Sequence, residues 1–235
     1  MDSLPAIDAG LSLLVAGLAE KDPGAAEWLV HVANTAFTKS LLFAPWLLVA
    51  WSRGGAAERE RVLATPASCG LALGITWVVT TLWRRLRPLN PASGLEEIAS
   101  VFGASAEVHP GWLHWGCFPS DHAAYLTALG LGLYSLNRVV GAAALGVGIG
   151  VCCLARMSVG LHYASDVVAG VAVGVLAHLA VSRALTGFAA ARFRQLRESV
   201  ESNAWLQLAF AVLVVEMAVM FRDLRTLDTW LFPLP

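Results

Sequence analysis

The sequence predicts an all-α protein: a six-transmembrane-helix bundle preceded by an N-terminal amphipathic interfacial helix. Three observations carry this reading. The 235 residues are 57% hydrophobic and 14% charged, whereas a soluble domain carries roughly 25% charged residues; the mean hydropathy is +0.64. Six apolar stretches, 28–51, 64–83, 120–136, 139–157, 164–183 and 204–221, approach the about 20 residues a helix needs to cross a bilayer. Tryptophans mark several edges, with Trp28 and Trp51 bracketing the first stretch, Trp83 closing the second and Trp205 opening the sixth, and indoles favour the headgroup layer.

The chain therefore divides into an amphipathic segment (1–24), a six-span domain (25–222) and an interfacial tail (223–235). In the first, Leu4, Ile7, Leu11, Leu14 and Leu18 share a helical stripe before Lys21-Asp22-Pro23-Gly24 breaks the helix, which favours a helix lying on the membrane over a short extra span. Met1-Asp2-Ser3 lacks the positive region of a signal peptide. Gly146-x3-Gly150 and Gly170-x3-Gly174 put small residues four apart on the fourth and fifth spans, a spacing that lets helix backbones approach closely in lipid. Cys69, Cys117, Cys152 and Cys153 fit neither a zinc spacing nor a disulfide framework. Sixteen basic against 17 acidic residues leave a net charge of −1, with no basic excess to hold nucleic acid. Six spans place Arg53, Arg59, Arg61, Arg138, Arg183, Arg192, Arg194 and Arg197 on one side. Lys21, Arg84, Arg85, Arg87, Arg156, Arg222 and Arg225 lie on the other. Setting aside Arg87 and Arg156, which have a chemical use, the first side is the richer and is expected in the cytoplasm.

The polar residues that suggest chemistry fall in loops on the other side. Pro119-Ser120-Asp121-His122 reads as a helix start, with Ser as cap. The free N–H groups there, with the positive end of the helix dipole, can hold an anion, and His122 can move a proton near neutral pH. The bland alternative is an ordinary cap. His162 and Asp166 are four apart at the start of the fifth span and so share a helix face. A carboxylate on one imidazole nitrogen leaves the other free as nucleophile or base; the alternative is a polar pair sealing a helix end, although ionisable groups at membrane depth are costly. Arg87 and Arg156 suit a phosphate clamp, since guanidinium forks match phosphate oxygens in pairs; a single Arg at a span edge is otherwise an interface anchor. With no carboxylate cluster for magnesium, the expected site transfers a phosphoryl group without a metal or other cofactor.

These residues resemble the type 2 phosphatidic acid phosphatase superfamily of membrane lipid phosphatases. That family shows Lys-x6-Arg-Pro, Pro-Ser-Gly-His and Ser-Arg-x5-His-x3-Asp. Here the three read Thr80-x6-Arg87-Pro88, Pro119-Ser120-Asp121-His122 and Ala155-Arg156-x5-His162-x3-Asp166. The resemblance covers about 28–221 and departs at Thr80, Asp121 and Ala155. It implies that His162 attacks phosphorus to form a phosphohistidine and that Asp166 orients it. His122 would protonate the leaving oxygen and later activate water. Arg87, Arg156, Ser120 and the amides of Asp121 and His122 would hold phosphate oxygens, with Arg84 or Arg85 supplying the charge of the missing Lys and Lys39 a further candidate.

The implied partners are a lipid phosphate and the surrounding membrane lipids, with no nucleic acid and an open oligomeric state. A polyprenyl (undecaprenyl) diphosphate is the favoured substrate, at a site facing the periplasm from a bacterial inner membrane. Phosphatidic acid, phosphatidylglycerophosphate and lipid A phosphate remain alternatives, as do a phosphotransferase on the same fold and a non-enzymatic lipid-binding or transport protein. His109, Trp112, His114 and Trp115 in the 89–118 loop could frame a headgroup or simply anchor at the interface.

Overall fold

The computed structural model describes residues 8–10, 13, 14, 17, 21–102 and 116–220. These residues are helices and connecting loops, without a strand among them. Most of the amphipathic stripe (Leu4, Ile7, Leu11 and Leu18), the aromatic and histidine cluster at 109–115, and the tail with Arg222 and Arg225 lie outside them.

Asp22 caps α1 (Pro23–Asn34) by accepting from the Gly24 and Ala25 N–H groups at 3.0 and 3.2 Å. Thr35 then turns extended, and a π-helical turn at Phe37–Leu41 leads through Pro45 into α2 (Trp46–Arg53). The expected first span is therefore a helix pair bent by 49°. Next come α3 (Ala56–Leu82), the short α4 (Glu96–Phe102) and α5 (Asp121–Leu136). After it α6 (Arg138–Ser158) winds through a π-helical stretch at Gly148–Cys153. The chain ends in α7 (Ala164–Thr186), α8 (Ala190–Ser202) and α9 (Ala204–Ala218).

Among the described residues α3, α6 and α7 are long and apolar enough to cross a membrane, and counting the bent pairs α1/α2 and α8/α9 raises the number to five. Six spans were expected. The last pair bends by 107° because Asn203 leaves the helical region and its side chain caps a new helix. The sixth candidate, α5, has 16 residues, or about 24 Å of rise, less than the hydrocarbon thickness of roughly 30 Å.

What α5 lacks in length it makes up in position. His122, Ala123, Ala124, Tyr125, Leu126, Thr127, Ala128 and Leu129 are all buried, and α5 packs against α3, α6 and α7. Close approach to α7 depends on Gly170 and Gly174, where an added Cβ would run into the Ser120 and Ala124 carbonyls. The other small pair behaves differently. Gly146 and Gly150 face open space, and α6 instead meets α5 at Gly141, against the Tyr134 backbone, and at Gly148, against Leu126. The Tyr125 and Ser40 hydroxyls both donate to the Met217 carbonyl, at 2.6 and 2.7 Å, tying the end of α9 to the centre. Cys69, Cys117, Cys152 and Cys153 are free and buried. Trp28, Trp83 and Trp205 are exposed, as their interfacial reading requires, while Trp51 lies against Phe210 at 5.3 Å.

Candidate active site

The end of α3, the starts of α5 and α7 and the end of α6 meet at one end of the bundle. Main-chain bonds join the loops there: Cys117 N–H to Arg85 C=O at 3.0 Å, Leu89 N–H to Gly160 C=O at 2.8 Å, and Ser120 N–H to Asp166 C=O at 3.0 Å. Gly160 makes the turn between Arg156 and His162 with φ +74°, a conformation glycine adopts without penalty. A Cβ there would also strike Ile98 of α4.

This stitching brings the two histidines together. A ring nitrogen of His122, one of His162 and a carboxylate oxygen of Asp121 all lie within 4.8 Å of one another. Both rings are buried. His162 Nδ1 lies 3.0 Å from the Cys117 carbonyl, so the Nδ1–H tautomer donates there. Its Nε2 has no hydrogen-bond partner and is left with its lone pair. Burial pushes the His162 imidazole below the ordinary histidine value; Asp166 opposes the shift, while Arg87 and Arg156 add to it. The result is a neutral ring with an unused nitrogen, the form in which histidine is a nucleophile.

Asp166 is fully buried but spends its oxygens elsewhere than expected. Oδ2 accepts the Tyr163 N–H at 2.8 Å, capping α7, and Oδ1 accepts from Arg85 Nη1 at 2.7 Å. His162 Nδ1 stands 3.8 Å from Oδ2, beyond a hydrogen bond. The Cys117 carbonyl thus sets the tautomer and Asp166 acts on the ring through its charge.

Ser120 caps α5, accepting the Ala123 N–H at 3.3 Å. Asp121 Oδ1 takes the His122 N–H and faces His122 Nδ1, both at 2.7 Å. The His122 amide, expected to bind phosphate, is therefore engaged by the Asp121 side chain, which at the same time orients the imidazole. Arg87 and Arg156 are buried and donate to the Leu161 carbonyl at 2.7 Å and the Ala33 carbonyl at 3.1 Å. They lie within electrostatic reach of one another, and Arg156 Nε has no hydrogen-bond partner. Two buried guanidinium groups that act on one another electrostatically suit an anionic ligand.

The remaining candidates separate. Arg84 is exposed. Arg85 reaches the site, but its fork is taken by Asp8, Ser165 and Asp166 and its face lies 3.9 Å over the Tyr163 ring. Thr80 donates to the Phe118 carbonyl at 3.0 Å, a tether between α3 and the loop before α5. Lys39, on the π-helical turn, lies within electrostatic reach of His122. Burial pushes the Cys117 thiol up, so it is no thiolate. His109 and His114 fall outside the described residues.

The donor atoms of Asp121, His122 and His162 could also hold a divalent cation. The arrangement as it stands, two histidines beside two buried guanidinium groups, equally fits a tetrahedral oxyanion.

The PAP2 superfamily model matches residues 61–188, which contain the three motifs and both histidines. The chain belongs to the PAP2 superfamily. It is similar to the Escherichia coli (strain K12) protein named "Putative undecaprenyl-diphosphatase YbjG", 22% identical over 203 residues covering 86% of this chain and 93% of that protein. No solved structure matches the chain significantly. Family and apolar helices together make it a membrane protein of the lipid phosphatase class.

Sequence reasoning missed Asp8, Ser165 and the Cys117 carbonyl. Ser165 adjoins a motif residue, which is a local cue. Asp8 has none, because its partners lie 77 and 157 positions away.

Proposed function

We propose that the protein hydrolyses the terminal phosphate of a polyprenyl diphosphate, undecaprenyl diphosphate foremost, through a phosphohistidine and without a metal. The observation that carries this is the pairing of His162, neutral and with Nε2 unused, with the His122 ring beside it. Nε2 attacks the terminal phosphorus. The bond to the bridging oxygen breaks, and His122 gives that oxygen a proton, releasing the polyprenyl monophosphate. Water then attacks the phosphohistidine, His122 takes its proton, and the P–N bond breaks to free phosphate. Arg87 and Arg156 meet the charge on the equatorial oxygens, and the Asp166 carboxylate offsets the positive charge that grows on His162. The diphosphate preference rests on the printed name of the Escherichia coli relative and on the two buried cations at the site, Arg87 and Arg156, which suit a highly charged headgroup.

The site loops face the periplasm in this reading, at the outer surface of a bacterial inner membrane, where a headgroup in water and a tail in lipid can reach them together.

The test is phosphate release from polyprenyl diphosphates, phosphatidic acid and phosphatidylglycerophosphate in detergent with chelator present. Wild type releases phosphate one-for-one with dephosphorylated lipid, and vanadate inhibits it. His162→Ala lowers the rate by about a thousandfold or more while the protein keeps its helical content and elution volume. Near-normal activity in that variant refutes the nucleophile, and loss of activity in chelator with recovery on adding a divalent cation refutes the metal-free reading.

A further inference from the structure

Asp8, far from the motifs in sequence, contacts the site. Asp8 is 3% exposed, although it precedes the apolar bundle in the chain. Its carboxylate accepts the Ser165 N–H at 3.1 Å, the Ser165 hydroxyl, and Arg85 Nη2 at 2.9 Å. Arg85 Nη1 in turn donates to Ser165 Oγ and Asp166 Oδ1, both at 2.7 Å. One guanidinium group thus bridges two carboxylates, Asp8 and Asp166 in the first turn of α7, while its face covers the Tyr163 ring.

The charge balance of this cluster matters for His162. Arg85 alone against Asp166 makes a neutral pair. With Asp8 added, the one guanidinium is shared between two carboxylates, so Asp166, 3.8 Å from His162 Nδ1, is less fully neutralised by Arg85 and keeps negative charge toward the ring. A ring that bonds phosphorus at Nε2 becomes positive, so this charge lowers the barrier to that step. The same bonds hold Arg85 across the loop and fix where Asp166 sits.

We propose that Asp8 is a positioning residue for the site: it divides the Arg85 fork with Asp166, so that the His162 loop is held in place and Asp166 keeps its charge for the histidine. This rests on the reading of His162 as nucleophile given above.

The test uses the full chain with undecaprenyl diphosphate in detergent. Asp8→Asn keeps the shape and one acceptor oxygen, removes the charge, and puts an N–H donor where the other oxygen accepted. Its kcat falls about tenfold, the scale of one charge-assisted hydrogen bond, while KM stays within about twofold because Asp8 does not touch the substrate. Asp8→Glu, which keeps the charge, recovers part of the loss. Placement is read separately by pairing Asp8→Cys with Ser165→Cys, which cross-link on oxidation whether or not the protein is active. The pair is made in a Cys117→Ser background, because the native Cys117 thiol lies beside Arg85 and Asp166 and could capture either new thiol.

An unchanged kcat in Asp8→Asn, with the cross-link formed, overturns the proposal in favour of a plain tether. A raised kcat overturns it in favour of a restraining contact, and absence of the cross-link overturns the placement itself. A wild-type protein inert toward every lipid phosphate sinks the reading of the site, and this proposal with it, even when the cross-link forms.

Discussion

In the proposed mechanism, His162 shows how surroundings can make a reagent of an ordinary side chain. Its Nδ1 is held by a main-chain carbonyl, its Nε2 is unused, and burial favours the neutral ring. Because the folded value lies below the ordinary one, the neutral ring persists as pH falls. The acid limb of kcat/KM for phosphate release is therefore expected below the ordinary histidine value of about 6.5, and a limb at or above that value contradicts the assignment. The spacing Arg156-x5-His162-x3-Asp166 makes the residue types legible in the sequence. Which atom bonds which is not legible. Whether Asp166 or a carbonyl holds Nδ1 depends on where Cys117 arrives from another loop, and whether Arg85 is available to phosphate depends on Asp8. Asp121 carries a similar lesson. Read as a lost glycine, it turns out to orient His122 at 2.7 Å.

At the scale of elements, sequence periodicity finds the helices but misjudges their continuity. Every apolar stretch from 28 to 218 contains helix, since apolar runs of this length have few other ways to satisfy their backbone in lipid. The break after Asn34 lies within a stretch that reads as one span, and hydropathy is blind to it. The Gly-x3-Gly pattern was informative on α7 and not on α6, because spacing shows that a close approach is possible without showing what is opposite. This gives a paired test. Gly170→Val pushes against the Ser120 carbonyl and is expected to cost roughly 1–3 kcal/mol, lowering the thermal midpoint in detergent. Activity should fall further than stability explains, since the displaced turn carries His122. Gly146→Ala and Gly150→Ala, which face open space, should be neutral or stabilising by up to about 1 kcal/mol. Equal losses at all three positions would contradict the packing described.

For the whole molecule, the two ends of the bundle differ in chemistry. One end carries the histidines. At the other, Arg59 meets Glu201 at 3.0 Å, Arg197 meets Glu201 and Glu60 at 2.8 and 3.3 Å, and Arg61 donates to the Ser135 carbonyl at 3.1 Å. Orientation by positive charge counts Lys and Arg and gives little weight to acids, so these ion pairs leave the count standing. It is checked by placing one new cysteine at Arg84, by the site, or at Arg194, at the opposite end. A membrane-impermeant thiol reagent on intact cells should label Arg84→Cys and spare Arg194→Cys, and the reverse pattern would turn the protein over. The expected assignment of ends comes from loop parity across six apolar stretches, whereas three to five spans pass on length and composition among the described residues. The N-terminal contact could not be read from sequence, since no local pattern links Asp8 to Ser165.

The seams that close the catalytic lip run from main chain to main chain: Cys117 to Arg85, Leu89 to Gly160, Ser120 to Asp166. Such seams are indifferent to side-chain identity. A lineage could therefore exchange a side chain such as Ala155 without dismantling the main-chain frame that keeps the two imidazoles close together.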